Sequence, residues 1–123
     1  MSVPISGIVA ITQNFEELSG DSWIVDLEFT ESDNVTPLDI SGWVFKLEIK
    51  STKYHGSIDA GNYLKLIMGS GLSVASNVLS INKILALKEG VYVYDVEATK
   101  LDGTVKTYLR GQLNVKPDVT NGY

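Results

Sequence analysis

Apolar and polar side chains alternate every second residue in four separate stretches of this chain. A period of two is the signature of a half-buried β-strand and is incompatible with an amphipathic helix. In 23–29, Trp23, Val25, Leu27 and Phe29 alternate with Ile24, Asp26 and Glu28. In 43–50, Trp43, Phe45, Leu47 and Ile49 alternate with Val44, Lys46, Glu48 and Lys50. In 91–99, Tyr92, Tyr94, Val96 and Ala98 face one way, and Val93, Asp95 and Glu97 the other. In 104–115, Val105, Thr107, Leu109, Gly111, Leu113 and Val115 form one face, opposite Thr104, Lys106, Tyr108, Arg110, Gln112 and Asn114.

Shorter signals fill the gaps. Val3–Thr12 reads as a first strand, with Pro4 suited to an edge, and Tyr63–Met68 as another strand. Leu72–Val74 and Val78–Ile81 form a hairpin across Ala75-Ser76-Asn77, with Asn77 in the left-handed position. Asp102-Gly103 is the strongest hairpin signal in the chain. Asn82–Glu89, with Ile84, Leu85 and Leu87, is the single candidate for a short helical turn, ended by Gly90. Residues 51–62 read as a loop. The expected fold is therefore all-β: an antiparallel, immunoglobulin-like β-sandwich of seven or eight strands with one short helical turn. Residues 1–117 make up the single domain and residues 118–123 a loose tail. Leu87-Lys-Glu-Gly-Val-Tyr92 adds a specific expectation. A tyrosine that opens a long strand after a short crossover bonds its hydroxyl back to the crossover backbone in sandwiches of this type, and Tyr92 takes that corner role.

Composition removes many chemistries. At 123 residues the chain has no cysteine and one histidine, His55. Disulfides, thiolate metal sites, cysteine nucleophiles and histidine pairs are excluded together. The net charge of −5 disfavours a nucleic-acid surface. It is also segregated: residues 1–45 hold eight acidic and no basic side chains, residues 46–123 ten basic and seven acidic. One reading is chance placement on solvated faces; the other is head-to-tail packing of like subunits, acidic end on basic end. No apolar run has membrane-spanning length. The first residues lack the basic and apolar segments of a secretory signal, so synthesis in the cytosol is expected.

No catalytic or cofactor-binding residue is expected. There is no nucleophile elbow and no P-loop. His55 sits in a polar loop, and Gly69-Ser-Gly71 lies between strands rather than at a helix start. Asp26 with Glu28, and Asp95 with Glu97, are carboxylate pairs on solvated strand faces. Glu31, Asp33, Asn34 and Asp39 offer oxygens that can hold calcium, but without a convincing ligand set, so no metal is assigned. Trp23 and Trp43 fall in register with core residues, although an aromatic pair can also stack on a sugar. Tyr54, His55, Tyr63, Lys106, Tyr108 and Arg110 remain as the candidate interface. Tyr108 stands on the polar face of its strand, between Lys106 and Arg110.

Three stretches together resemble a known family. They are Pro37-Leu-Asp-Ile-Ser-Gly-Trp-Val-Phe-Lys-Leu-Glu-Ile-Lys50, 71–81, and the long run from Leu87 to Thr120 that holds Gly90-Val-Tyr-Val-Tyr-Asp95, Asp102-Gly103, Gly111-Gln-Leu-Asn-Val115 and Pro117-Asp-Val-Thr120. Over roughly residues 20–120 the chain is similar to small immunoglobulin-like proteins of tailed bacteriophages and prophages, such as the N-terminal domain of baseplate upper proteins. The resemblance implies a non-enzymatic structural component of a virion, as a tail, baseplate or capsid accessory subunit. Its partners would be other virion proteins and further copies of itself, without nucleic acid, membrane or cofactor. The alternative is a carbohydrate-binding or adhesin module for a cell-surface glycan.

Overall fold

The computed structural model describes residues 2–6, 10–52 and 63–117, and ten strands lie among them. In chain order they are β1 (Ser2–Ser6), β2 (Ile11–Thr12), β3 (Phe15–Leu18), β4 (Ser22–Thr30) and β5 (Val44–Ser51), then β6 (Tyr63–Met68), β7 (Gly71–Ala75), β8 (Val78–Ile84), β9 (Gly90–Thr99) and β10 (Val105–Lys116). All belong to one sheet in the order β1-β4-β8-β7-β6-β5-β9-β10-β2, with β3 also paired to β10. The fold is all-β. The tail at 118–123 and most of the 51–62 loop lie outside the described residues.

The sheet is curled and nearly closed, because the N-terminal segment supplies both of its ends. β1 runs parallel to β4, whereas β2 and β3 run parallel to β10 at the other end of the path. Ser6 and Ile11 are five steps apart, so the two ends lie within roughly 18 Å at the reach of an extended chain. The single first strand expected over 3–12 is thus split into β1 and β2, which pair with partners far apart in the sheet; with β3, which the sequence reading did not include, this raises the strand number from the expected seven or eight to ten. Pro4 does stand on an edge, in β1.

The alternating stretches behave as expected in β4, β5 and β9. Trp23, Val25, Leu27 and Phe29 are buried, as are Phe45, Leu47 and Ile49, and Tyr92, Tyr94, Val96 and Ala98. β1 adds Val3 and Ile5, and β8 adds Leu79 and Ile81. Burial of this many large apolar side chains, each worth about 1.5–3 kcal/mol, is what holds the curled sheet together. Trp23 sits edge-on to Phe15 and Tyr94, at 5.4 and 5.6 Å between ring centres, and so ties β3 and β9 to β4.

Two local expectations are corrected. Asn82–Glu89 forms no helical turn, and no helix occurs among the described residues. Leu85 and Leu87 are both buried while Ile84 is exposed, which is the period of an extended chain. The backbone groups a helix would need are engaged elsewhere: Leu85 N–H donates to the Asp21 carbonyl, and Gly20 N–H to that of Leu85. In the β7–β8 hairpin it is Ser76, at φ 59°, and not Asn77 that is left-handed. Asn77 is engaged with β4, its carbonyl accepting from Phe29 N–H and its amide donating to the Phe29 carbonyl. The hairpin at Asp102-Gly103 forms as read, with Gly103 at φ 88° and Asp102 capping Thr104 N–H.

Candidate functional site

The outer face of β5, β9 and β10 carries a groove of about 600 Å³. Strand pairing explains how it is made. β9 lies between β5 and β10, and in register Glu48 stands opposite Asp95, which stands opposite Arg110. The next outward row is Lys50, Val93 and Gln112. The backbone crossing from β2 to β3, with Thr12 and Asn14, forms the rim. That rim is fastened to β10: Gln13 N–H donates to the Arg110 carbonyl, and Asn14 Oδ1 accepts from Gln112 N–H. Tyr94 reaches from the inner face to donate its hydroxyl proton to the Gln13 carbonyl.

Charges on this face fall into two groups. Lys46, Glu48 and Lys50 form a ladder, with Lys46 Nζ 3.7 Å from Glu48 and from Glu97, and Lys50 Nζ 4.0 Å from Glu48. The Tyr63 hydroxyl donates to Glu48 Oε2 at 2.7 Å. That bond, with the neighbouring lysines, holds the Glu48 carboxyl below its usual range, and it pushes the Tyr63 hydroxyl up to about 12. Asp95 and Arg110 behave differently. Among the described residues neither has an opposite charge within ion-pair distance, although they face each other across two strands. Burial, and then the charges of Glu48 and Glu97, raise the Asp95 carboxyl above its ordinary range.

Of the residues singled out from the sequence, Arg110 lines the groove and Tyr63 braces its Glu48 wall. Tyr54 and His55 lie outside the described residues. Tyr108 is corrected: it is fully buried. A β-bulge between Thr107 and Leu109 inserts one extra residue opposite β9, so Tyr108 and Leu109 both turn inward and Val105 turns out. Lys106, half-buried, places its ammonium 5.2 Å above the Tyr108 ring instead of projecting from a binding face.

The other chemistry considered from sequence is used locally. Trp23 is buried in the core. Trp43 is half-buried, stacked on Phe45 and Tyr108, with the Lys100 ammonium 5.4 Å over its ring. Asp33 accepts from the Thr36 hydroxyl, Val35 N–H and Thr36 N–H, and Asp39 from Ser41 N–H. Hydrogen bonding by the side chain of Thr36 to Asp33 and of Ser41 to Asp39, and then by the backbone, lowers both carboxyl pKa values. Those carboxylates order their own turns. Among the described residues no group of three or more acidic or histidine side chains is placed to hold a metal ion. Glu48, Lys50, Asp95 and Gln112 were legible only as outward-facing residues; their meeting in one groove follows from the order β5-β9-β10, which no local pattern encodes. No known family model matches the chain, and no curated protein is significantly similar to it.

Proposed function

We propose that this chain is a non-catalytic assembly module that works through protein–protein contacts on the outer face of β5, β9 and β10. The observation that carries the reading is the state of Asp95 and Arg110. Two charges of opposite sign are presented side by side in an open groove without being spent on each other. Such groups are suited to a partner that supplies both complements. The finer architecture proposed is the immunoglobulin-like sandwich, with β1-β4-β8-β7 as one layer and β6-β5-β9-β10-β3 as the other. The order of pairing is compatible with it. The Tyr92 hydroxyl, which donates to the Lys88 carbonyl at 2.7 Å, supports it further.

With the sequence resemblance, this makes a structural subunit of a tailed-phage virion the best reading. Mass spectrometry of phage-like particles purified from the source of the sequence tests it. The chain is expected in fixed ratio to the major capsid or tail protein. Its abundance in the lysate with absence from the particles would overturn the assignment. The glycan-binding alternative draws no support from the tryptophans, since Trp23 is enclosed and the Trp43 ring is engaged with Phe45, Tyr108 and Lys100.

A further inference from the structure

The groove has a symmetry that names a partner. Asp95 and Arg110 are direct register partners on β9 and β10, and both are exposed on the outer face. Stacking two copies of this face requires a two-fold axis in the plane between them. An axis along β9 would set Asp95 against its own copy, and one along β10 would do the same to Arg110. An axis parallel to the strands and midway between β9 and β10 avoids both clashes. It lays Asp95 of each copy over Arg110 of the other, twice over. It also brings Val93 over Gln112, because these too are register partners. Glu48 then meets Thr12, which pairs with Arg110 on its far side, and Lys50 meets Asn14, which is bonded to Gln112. No like charges face each other in this arrangement. Facing sheets pack about 10 Å apart, a gap that an aspartate and an arginine bridge together.

We infer that the outer face of β5, β9 and β10 pairs with the same face of a second copy of this chain, through reciprocal Asp95–Arg110 contacts about a two-fold axis. The inference rests on the reading of this face as an assembly surface, but not on which particle the subunit belongs to. A patch only four or five strands wide belongs to the weak, transient class of interfaces. Such an interface becomes populated where copies are held close together.

Sedimentation equilibrium up to about 1 mM chain, the weak end of the affinity scale, is the test. The wild type is expected to dimerise. Arg110→Asp and Asp95→Arg should each weaken association by about tenfold or more, as like charges then face each other. Mixed in equal amounts, these two variants should pair again, because every facing contact in the mixed dimer joins an acid to a base. Restored pairing also shows that both variants are folded. Arg110→Gln, which adds no charge, should weaken association and keep the wild-type melting temperature. A wild type that stays monomeric at the highest concentration overturns the inference, as do single variants that associate like the wild type, or a mixture that remains monomeric. A monomer that nevertheless co-purifies with particles would sink the self-pairing alone and leave the assembly reading standing.

Discussion

The carbonyl of Gln13 occupies the space that a β-carbon on Gly111 would take. The N-terminal chain crosses β10 at this point, so the contact fixes where the rim of the groove sits. Asn14 Oδ1 is also within 3.0 Å of the same position. Backbone cannot swing aside as the end of a flexible side chain can. Gly111→Ala should therefore lift the crossing from β10 and strain the bonds of Gln13 and Asn14. Overpacking of this kind costs about 1–3 kcal/mol. Thermal unfolding is expected to show a fall of several degrees, with hydrogen exchange rising first at Gln13 and Gln112. Tyr94→Phe, which removes the donor to the Gln13 carbonyl, should cost about 1 kcal/mol.

Tyr92 gives a prediction at the other end of β9. Its ring is buried, and its hydroxyl closes the crossover on the Lys88 carbonyl. Tyr92→Phe keeps the packing and loses the bond. The expected loss is about 1 kcal/mol in denaturant unfolding, with an unchanged slope. A variant as stable as the wild type would mean that the corner bond contributes nothing.

Much of this was legible in the sequence, and the reason lies in burial. β4, β5 and β9 each have one face in the core, so their side chains had to alternate. β10 obeys the same rule on either side of its bulge, but the bulge exchanges the two faces. Tyr108 therefore reads as outward from sequence although it is enclosed. Nothing local announces the bulge, which is a property of the β9–β10 ladder. The stretch at 82–89 fails for another reason. Over so few residues Ile84, Leu85 and Leu87 fit a helix and a strand alike, and hydrogen bonds to Gly20 and Asp21 decide the matter. The three N-terminal strands are too short to carry a pattern of their own. Arg110 was recognisable as an outward charge; that Asp95 and Glu48 stand beside it is a matter of strand order.

The Tyr63–Glu48 bond predicts a titration. The Tyr63 hydroxyl should ionise near 12, and the Glu48 carboxyl below its usual range. A tyrosine whose pKa is raised by folding stabilises the fold below its ordinary value of 10. That contribution fades as the pH climbs from there through about 12. A lowered glutamate stabilises above its ordinary range, and its contribution is lost as the pH falls through the lowered value. NMR titration of the tyrosine ring carbons and glutamate carboxyls reads both. In Tyr63→Phe, Glu48 should move back up toward 4.5, its ordinary value. A Glu48 that does not move would contradict the bond.

Asp95 has the opposite sign. Its carboxyl is raised by burial and by Glu48 and Glu97, so the folded chain binds the proton more tightly than the unfolded one. Its contribution to stability is therefore most favourable at low pH and declines as the pH rises through the raised value, leaving an ionised Asp95 unfavourable at neutrality. Asp95→Asn in the dilute, monomeric protein should stabilise slightly at pH 7, by no more than about 0.5 kcal/mol, the scale of surface substitutions. The gain should vanish near pH 3. Destabilisation at pH 7 would mean that Asp95 has a cation partner in the monomer.

Carboxylate labelling of the chain in its native assembly, compared with the dilute chain and read residue by residue, tests most directly which surface does the work. Two exposed carboxylates on β4, Asp26 and Glu28, lie away from the groove and serve as the internal control. Assembly through the β5-β9-β10 face predicts that Glu48 and Asp95 lose reactivity while Asp26 and Glu28 keep theirs. Protection of Asp26 and Glu28 with Glu48 and Asp95 unchanged would contradict the account and move the contact to the opposite side of the molecule.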